Sequence, residues 1–220
     1  MATAANAFIV GGPAGFLLSD GAGRSTLDYR RSARVYSQGD RSNAIFVVLR
    51  GTVLLSVVSN CGKEAVVGVI GVGEFFGEDC ILDAGIRGSS AVTLERARLL
   101  RVENQDLRYV LRRSTEFCEN FMHQLLRRKS VMEEALADQL FSSSEQRLAR
   151  VLIVLARPAN GASKGPIPRM SQTTLAAMVG TTRSRINYFL GKFRSMGLVE
   201  GSQTLRVDIP GMKNMLATKR

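Results

Sequence analysis

Glu78 follows Gly77 at the end of an apolar run, and Arg87 comes nine residues later. A short Asp79–Asp83 turn between them can present backbone N–H groups to an anion. Arg87 can close such a pocket with its guanidinium over a phosphate. Gly88, Ser89 and Ser90 follow and add a flexible backbone and two hydroxyls. The same residues also allow a plainer outcome, in which Glu78 and Arg87 simply form an ion pair at a β-roll corner. Cys80, within the turn, is either an oxidisable thiol or a small buried hydrophobe.

A second set of residues suits DNA. Ser171-Gln172-Thr173 opens a segment with apolar residues at helical spacing, through Leu175, Ala176 and Val179. Gly180-Thr181 interrupts it, and Thr182-Arg183-Ser184-Arg185-Ile186-Asn187-Tyr188 begins a second helix. Ala176, Gly180 and Ile186 have the spacing of a helix-turn-helix. The alanine permits close crossing, the glycine supplies a left-handed turn, and the isoleucine plugs the crossing. In that motif Thr182, Arg183, Ser184, Arg185 and Tyr188 face the major groove, where arginine pairs bidentately with guanine. Ser171, Gln172 and Thr173 would touch phosphates. Gly197–Gly201 and Thr204–Val207 read as a β-hairpin wing.

The charge follows this division. Residues 143–220 hold 13 Lys/Arg against 3 Asp/Glu, and residues 1–142 hold 17 against 16. Nearly all of the net +11 therefore lies in the last third of the 220 residues, which suits a polyanion partner. The single histidine, His123, and the dispersed Cys61, Cys80 and Cys118 make no zinc or facial-triad ligand set. They make no four-cysteine cluster and no nucleophile–histidine constellation either, so no metal and no enzyme activity are expected. An odd number of separated cysteines points to a reducing, cytoplasmic setting. No membrane span and no signal peptide are expected.

Three kinds of element must carry these residues. Residues 1–28 read as a loose or partly helical arm. From Arg34 to Glu103 short apolar runs (Ile45–Leu49, Val53–Val58, Ala65–Ile70, Ala91–Leu94) alternate with turn residues, which suggests a jelly-roll sandwich. Residues 104–141 contain no Gly or Pro and repeat apolar residues at Cys118, Phe121, Leu125, Met132, Leu136 and Leu140. That is one long helix whose seam can pack on the sheets, on a partner helix, or both. The serine run Ser142–Ser144 interrupts it, a second helix runs Arg147–Ala156, and residues 160–168 read as a turn-rich loop.

The order of parts resembles the Crp/Fnr superfamily of transcription regulators over about residues 30–210. Val35-Tyr36-Ser37-Gln38-Gly39-Asp40, Phe46–Gly51, Gly62-Lys63-Glu64 and Gly73-Glu74-Phe75-Phe76-Gly77-Glu78 resemble the cyclic-nucleotide-binding jelly roll. The resemblance implies that Gly77 and Glu78 approach a ribose hydroxyl and that Arg87 holds a cyclic phosphate. It also places Met132 and Glu133 where nucleotide-responsive members contact adenine. The sequence departs from the pattern at Gly88, where the hydroxyl shifts to Ser89 or Ser90. It departs again at Met132-Glu133, which cannot make a Thr-Ser pair's hydrogen bonds, and at Ser184, which replaces a glutamate of the recognition helix.

The expected architecture is α+β. An arm (1–28) precedes an effector-sensing jelly roll (29–103), a dimerisation helix (104–142) and a winged helix-turn-helix (143–220). The expected function is a homodimeric, sequence-specific regulator of palindromic promoter DNA, with RNA polymerase as a further partner if it activates. The implied effector is cAMP or cGMP, bound by Gly77, Glu78, Asp79, Cys80, Arg87, Gly88, Ser89, Ser90, Met132 and Glu133. The alternative is a regulator of the same type that takes no cyclic nucleotide. The dimer seam is expected at Cys118, Phe121, Leu125, Met132 and Leu136.

Overall fold

A computed structural model of the chain describes residues 23–82, 85–156, 162–201 and 204–218. It forms two compact units that divide between Met132 and Glu133, upstream of the serine run.

The first unit is a β-sandwich with helices on one side. One antiparallel sheet has the order β1 (Arg24–Tyr29), β8 (Ala97–Glu103), β3 (Ala44–Arg50), β6 (Phe75–Phe76). The other has the order β2 (Arg34–Tyr36), β7 (Ser90–Thr93), β4 (Val53–Val58), β5 (Glu64–Ile70). Phe46, Val48, Phe76, Ala97 and Leu99 of the first sheet meet Tyr36, Val53, Leu55, Ile70 and Ala91 of the second. Ile45, Val47, Phe75, Leu100 and Val102 point the opposite way, into a second core with Leu107, Val110, Phe117 and Phe121 of the helices. The first sheet is thus buried on both faces. That explains why β3 reads Ala-Ile-Phe-Val-Val-Leu without polar alternation.

Two expectations are corrected here. The arm read over 1–28 lies outside the described residues up to residue 22, but Arg24–Tyr29 is strand β1. Its register pairs Arg24 with Val102 and Tyr29 with Ala97. The helix expected over 104–141 is two helices, α1 (Asn104–Arg113) and α2 (Thr115–Phe141). Ser114 makes the break in extended conformation: its N–H caps Val110 O at 3.0 Å, and its Oγ accepts from Phe117 N at 3.1 Å.

The second unit begins with the last turns of α2, followed by α3 (Ser144–Leu155). A capping box starts α3: Ser143 Oγ accepts from Gln146 N, and Gln146 Oε1 accepts from Ser143 N. The helix-turn-helix is α4 (Gln172–Val179) and α5 (Arg183–Ser195). Gly180 between them has φ +67°, and an added Cβ would meet Gln139 at 3.0 Å. The wing pairs β10 (Val199–Glu200) with β11 (Arg206–Asp208), and helix α6 (Ile209–Thr218) follows. Part of the region read as a loop is a strand, because β9 (Lys164–Pro166) pairs with β11. Residues 160–161 of that loop and the wing tip, residues 202–203, lie outside the described residues.

Phe76 is fully buried between Phe46, stacked at 5.3 Å, and Tyr36, tilted at 5.9 Å. Phe76→Ala is expected to cost about 3–5 kcal/mol of unfolding free energy, read as a lower urea midpoint. A loss below ~1 kcal/mol would mean that this ring cluster does not organise the sandwich.

Candidate effector and DNA sites

Gly77 ends β6 in left-handed conformation, φ +80°, and a short 3-10 turn, Glu78–Ile81, follows. The turn is docked against Arg87, whose side chain is only 2% exposed. Arg87 Nη1 donates to Gly77 O at 2.8 Å and to Asp79 Oδ1 at 2.7 Å, while Nη2 donates to Ala44 O at 2.6 Å. Its guanidinium carbon lies 4.2 Å from the Tyr36 ring centroid. Only a glycine fits at position 77, since a Cβ would stand 2.6 Å from Arg87 Nη1. Burial beside this cation pushes the Tyr36 hydroxyl pKa up, desolvation outweighing the pull of Arg87.

The Asp79 carboxylate is the other half of the arrangement. Besides the guanidinium, it accepts from Ser42 Oγ at 2.7 Å and from Gly88 N at 3.0 Å. Glu78 turns elsewhere and meets Arg128 of α2, with Oε1 to Nη1 at 2.6 Å. Arg128 also donates to Phe75 O and stands over the Phe75 ring at 5.2 Å. From α1, Arg108 donates to Ile81 O at 2.6 Å. Both helices therefore grip the turn through arginines. Beside it lies a cavity of about 470 Å³, whose lining includes Tyr36, Glu78, Asp79, Ser89, Phe121 and Met122. Its size falls within the usual range for small-molecule sites.

In the second unit, Thr182 caps α5 through Arg185 N and Ser171 caps α4 through Thr174 N. Ile186, Phe189, Leu190 and Phe193 are buried against Leu175, Ala176 and Val179. That anchoring leaves Thr182, Arg183, Ser184, Arg185 and Tyr188 exposed on the N-terminal half of α5. Ser171 and Thr173 are exposed as well, while half-buried Gln172 donates to Asn187 Oδ1 at 3.3 Å. Arg147 ties this motif to the serine run. Its Nε donates to Val179 O at 2.9 Å and its Nη1 to Ser142 O at 2.7 Å.

Two family models match in this order. The cyclic nucleotide-binding domain matches residues 26–114, and the Crp-like helix-turn-helix domain matches residues 146–216. The cyclic AMP receptor protein of Thermus thermophilus is 31% identical over 180 residues, covering 81% of this chain and 82% of that one. The chain belongs to the Crp/Fnr family of DNA-binding transcription regulators. A CRP-like cAMP-activated global transcriptional regulator of Mycobacterium tuberculosis is 28% identical over 188 residues, covering 83% and 84% of the two chains. The solved structure of FixK2 from Bradyrhizobium japonicum shares the fold, with a TM-score of 0.75 at 15% identity, covering 87% of this chain and 96% of that one. The c-di-GMP responsive regulator CLP of Xanthomonas campestris gives 0.73 at 22%, with 87% and 95% covered.

Within this family fold the structure gathers some expected site residues and separates others. Gly77, Glu78, Asp79 and Ser89 line the cavity, and Gly88 and Arg87 back it. Ser90 accepts from Gln38 N at 2.9 Å instead. The plain Glu78–Arg87 pair does not form, because Asp79 takes Arg87 and Glu78 takes Arg128. Cys80 belongs to the hydrophobic core beneath the turn, and burial pushes its pKa up to about 11. Met132 and Glu133 do not line the cavity of their own chain, and Met132 is exposed.

The seam residues also divide. Phe121 is core and Leu125 packs on it, because positions 117, 121 and 125 share the sheet-facing side of α2. Cys118 is half-buried; Met132 and Leu136 are exposed, as are Met122, Leu126 and Leu140. Sequence reasoning passed over Ser42 and Arg128. The signal for Arg128 was present, a cation seven residues after Phe121 on an otherwise apolar face.

Arg87→Ala removes one member of a buried ion pair and strips donors from Gly77 O and Ala44 O. It is expected to cost about 3 kcal/mol in urea unfolding; an unchanged midpoint would mean that the guanidinium is not what holds the turn.

Proposed function

We propose that this protein is a homodimeric regulator of palindromic promoter DNA, acting as a cytoplasmic DNA-binding switch and not as an enzyme. Its effector is a small molecule of the cyclic-nucleotide class, in line with the names of its cAMP-responsive relatives. The cavity carries this reading. Its walls are the Glu78–Leu82 turn on one side and Leu111, Phe121, Met122 and Leu125 of the helices on another. A molecule that fills it touches both the sensing turn and the helix that leads on towards the serine run. Coupling to DNA then requires that these contacts differ between two states of the dimer.

The exposed Met122, Leu126, Met132, Leu136 and Leu140 on α2 supply the apolar seam for a second copy. Two-fold symmetry then presents two α5 helices to half-sites one helical turn, ~34 Å, apart. On each, Arg183 and Arg185 are the main groove residues, with Ser184 and Tyr188 adjusting base choice and Ser171, Gln172 and Thr173 at phosphates. RNA polymerase is the further partner of an activator.

Gel shifts on a palindromic promoter fragment and on random DNA, across a salt series, test the reading. The palindrome should bind more tightly at every salt. Arg183→Ala should lose ~1–3 kcal/mol of discrimination at one base pair. Equal binding of both fragments by the native chain would defeat the proposal, and equal weakening on both would reassign Arg183 to the backbone.

A further inference from the structure

We infer that Asp79 is a tethered competitor for the phosphate subsite of the effector cavity. This rests on the cyclic-nucleotide reading above and says what that effector must do to enter.

The donors that meet the Asp79 carboxylate form an anion cradle. One oxygen takes Arg87 Nη1 at 2.7 Å and Ser42 Oγ at 2.7 Å, and the other takes Gly88 N at 3.0 Å. A guanidinium, a hydroxyl and a backbone N–H around one pair of oxygens would serve a phosphate equally well. Ser42 is 7% exposed and the whole of Arg87 only 3%, so the cradle is built into the fold. Arg87 Nε is buried without a hydrogen-bond partner among the described residues. The guanidinium has donor capacity left over that its present neighbours do not use.

The carboxylate is also covalently local. It lies one residue past Glu78 on a 3-10 turn that bounds the cavity, and its side chain is 20% exposed. A phosphodiester entering the cavity meets an occupied cradle and a like charge beside it. It binds by displacing Asp79 towards solvent, breaking three hydrogen bonds and remaking them to its own oxygens. The apparent affinity is then the intrinsic affinity reduced by the fraction of molecules whose cradle is open. A ligand without a phosphate makes no such exchange. Asp79 therefore sets a threshold that a phosphodiester must overcome to bind, and it leaves the affinity of a ligand without a phosphate unchanged.

Calorimetry on the full chain with cAMP and with adenosine, on the native protein, Asp79→Ala and Asp79→Asn, tests this. The asparagine variant keeps the shape of the turn if alanine loosens it. Both variants should bind cAMP about tenfold or more tightly than the native chain, as expected if the cradle is open in a tenth of native molecules or fewer. Adenosine affinity should stay the same in all three. The proposal is overturned if the native chain binds cAMP as tightly as the variants, an outcome that leaves the cyclic-nucleotide reading standing. It is also overturned if adenosine gains as much as cAMP, because the gain would then owe nothing to phosphate. Failure of all three proteins to bind either cAMP or cGMP, titrated in parallel, removes the phosphate subsite and with it the cyclic-nucleotide reading, while the gel shift judges DNA binding separately.

Discussion

A guanidinium taken out of water needs acceptors for its protons and an anion for its charge, or it does not stay buried. Arg87 imposes that need in the middle of the first unit. Gly77 must lack a side chain, Ala44 must aim its carbonyl across from β3, and Asp79 must turn inward. With Asp79 committed, Glu78 is left to α2, where Arg128 takes it up. The path of the turn, the partner of the neighbouring acid and one anchor of the long helix all follow from one buried cation. Tyr36 completes the enclosure, with the guanidinium over its ring.

The two arginines from the helices give the same turn a second attachment. Arg108 and Arg128 come from opposite sides of the break at Ser114, and each bonds to a backbone carbonyl as well as to a side chain. Such fork-like contacts fix orientation better than a lone ammonium would. In the second unit Arg147 plays a comparable part. It takes carbonyls that α4 and the serine run leave unpaired at their ends, and so joins the start of α3 to the helix-turn-helix. Asp138 and Arg150 reinforce that corner with an ion pair at 2.7 Å.

Elements whose burial matches their local pattern were legible in the sequence. The helix-turn-helix is compact in sequence, so Ala176, Gly180 and Ile186 could be read directly from their spacing. The apolar run of β3 showed as well. Strand β1 did not, because Arg24-Ser25-Thr26-Leu27-Asp28-Tyr29 lies at the sheet edge and only Leu27 and Tyr29 pack on the core. The break in the long helix was hidden because a serine makes it, with neither glycine nor proline nearby. At the site, the residues of the turn were found but their pairing was not. Two adjacent acids face two arginines, and which acid turns inward depends on the 3-10 geometry and on a side chain fifty residues away.

The double burial of the first sheet has a consequence for how the first unit comes apart. Phe46 and Val48 of β3 are needed by the sandwich, while Ile45 and Val47, on the same strand, are needed by α1 and α2. Peeling the helices away would wet one face of a strand whose other face still holds the second sheet. Neither layer can be released cheaply by itself, so loosening spreads across the whole unit instead of staying local. Phe121 stacks on Phe75 of β6, and the next residue, Phe76, lies in the sandwich core, so the two cores meet at adjacent residues beside the cavity.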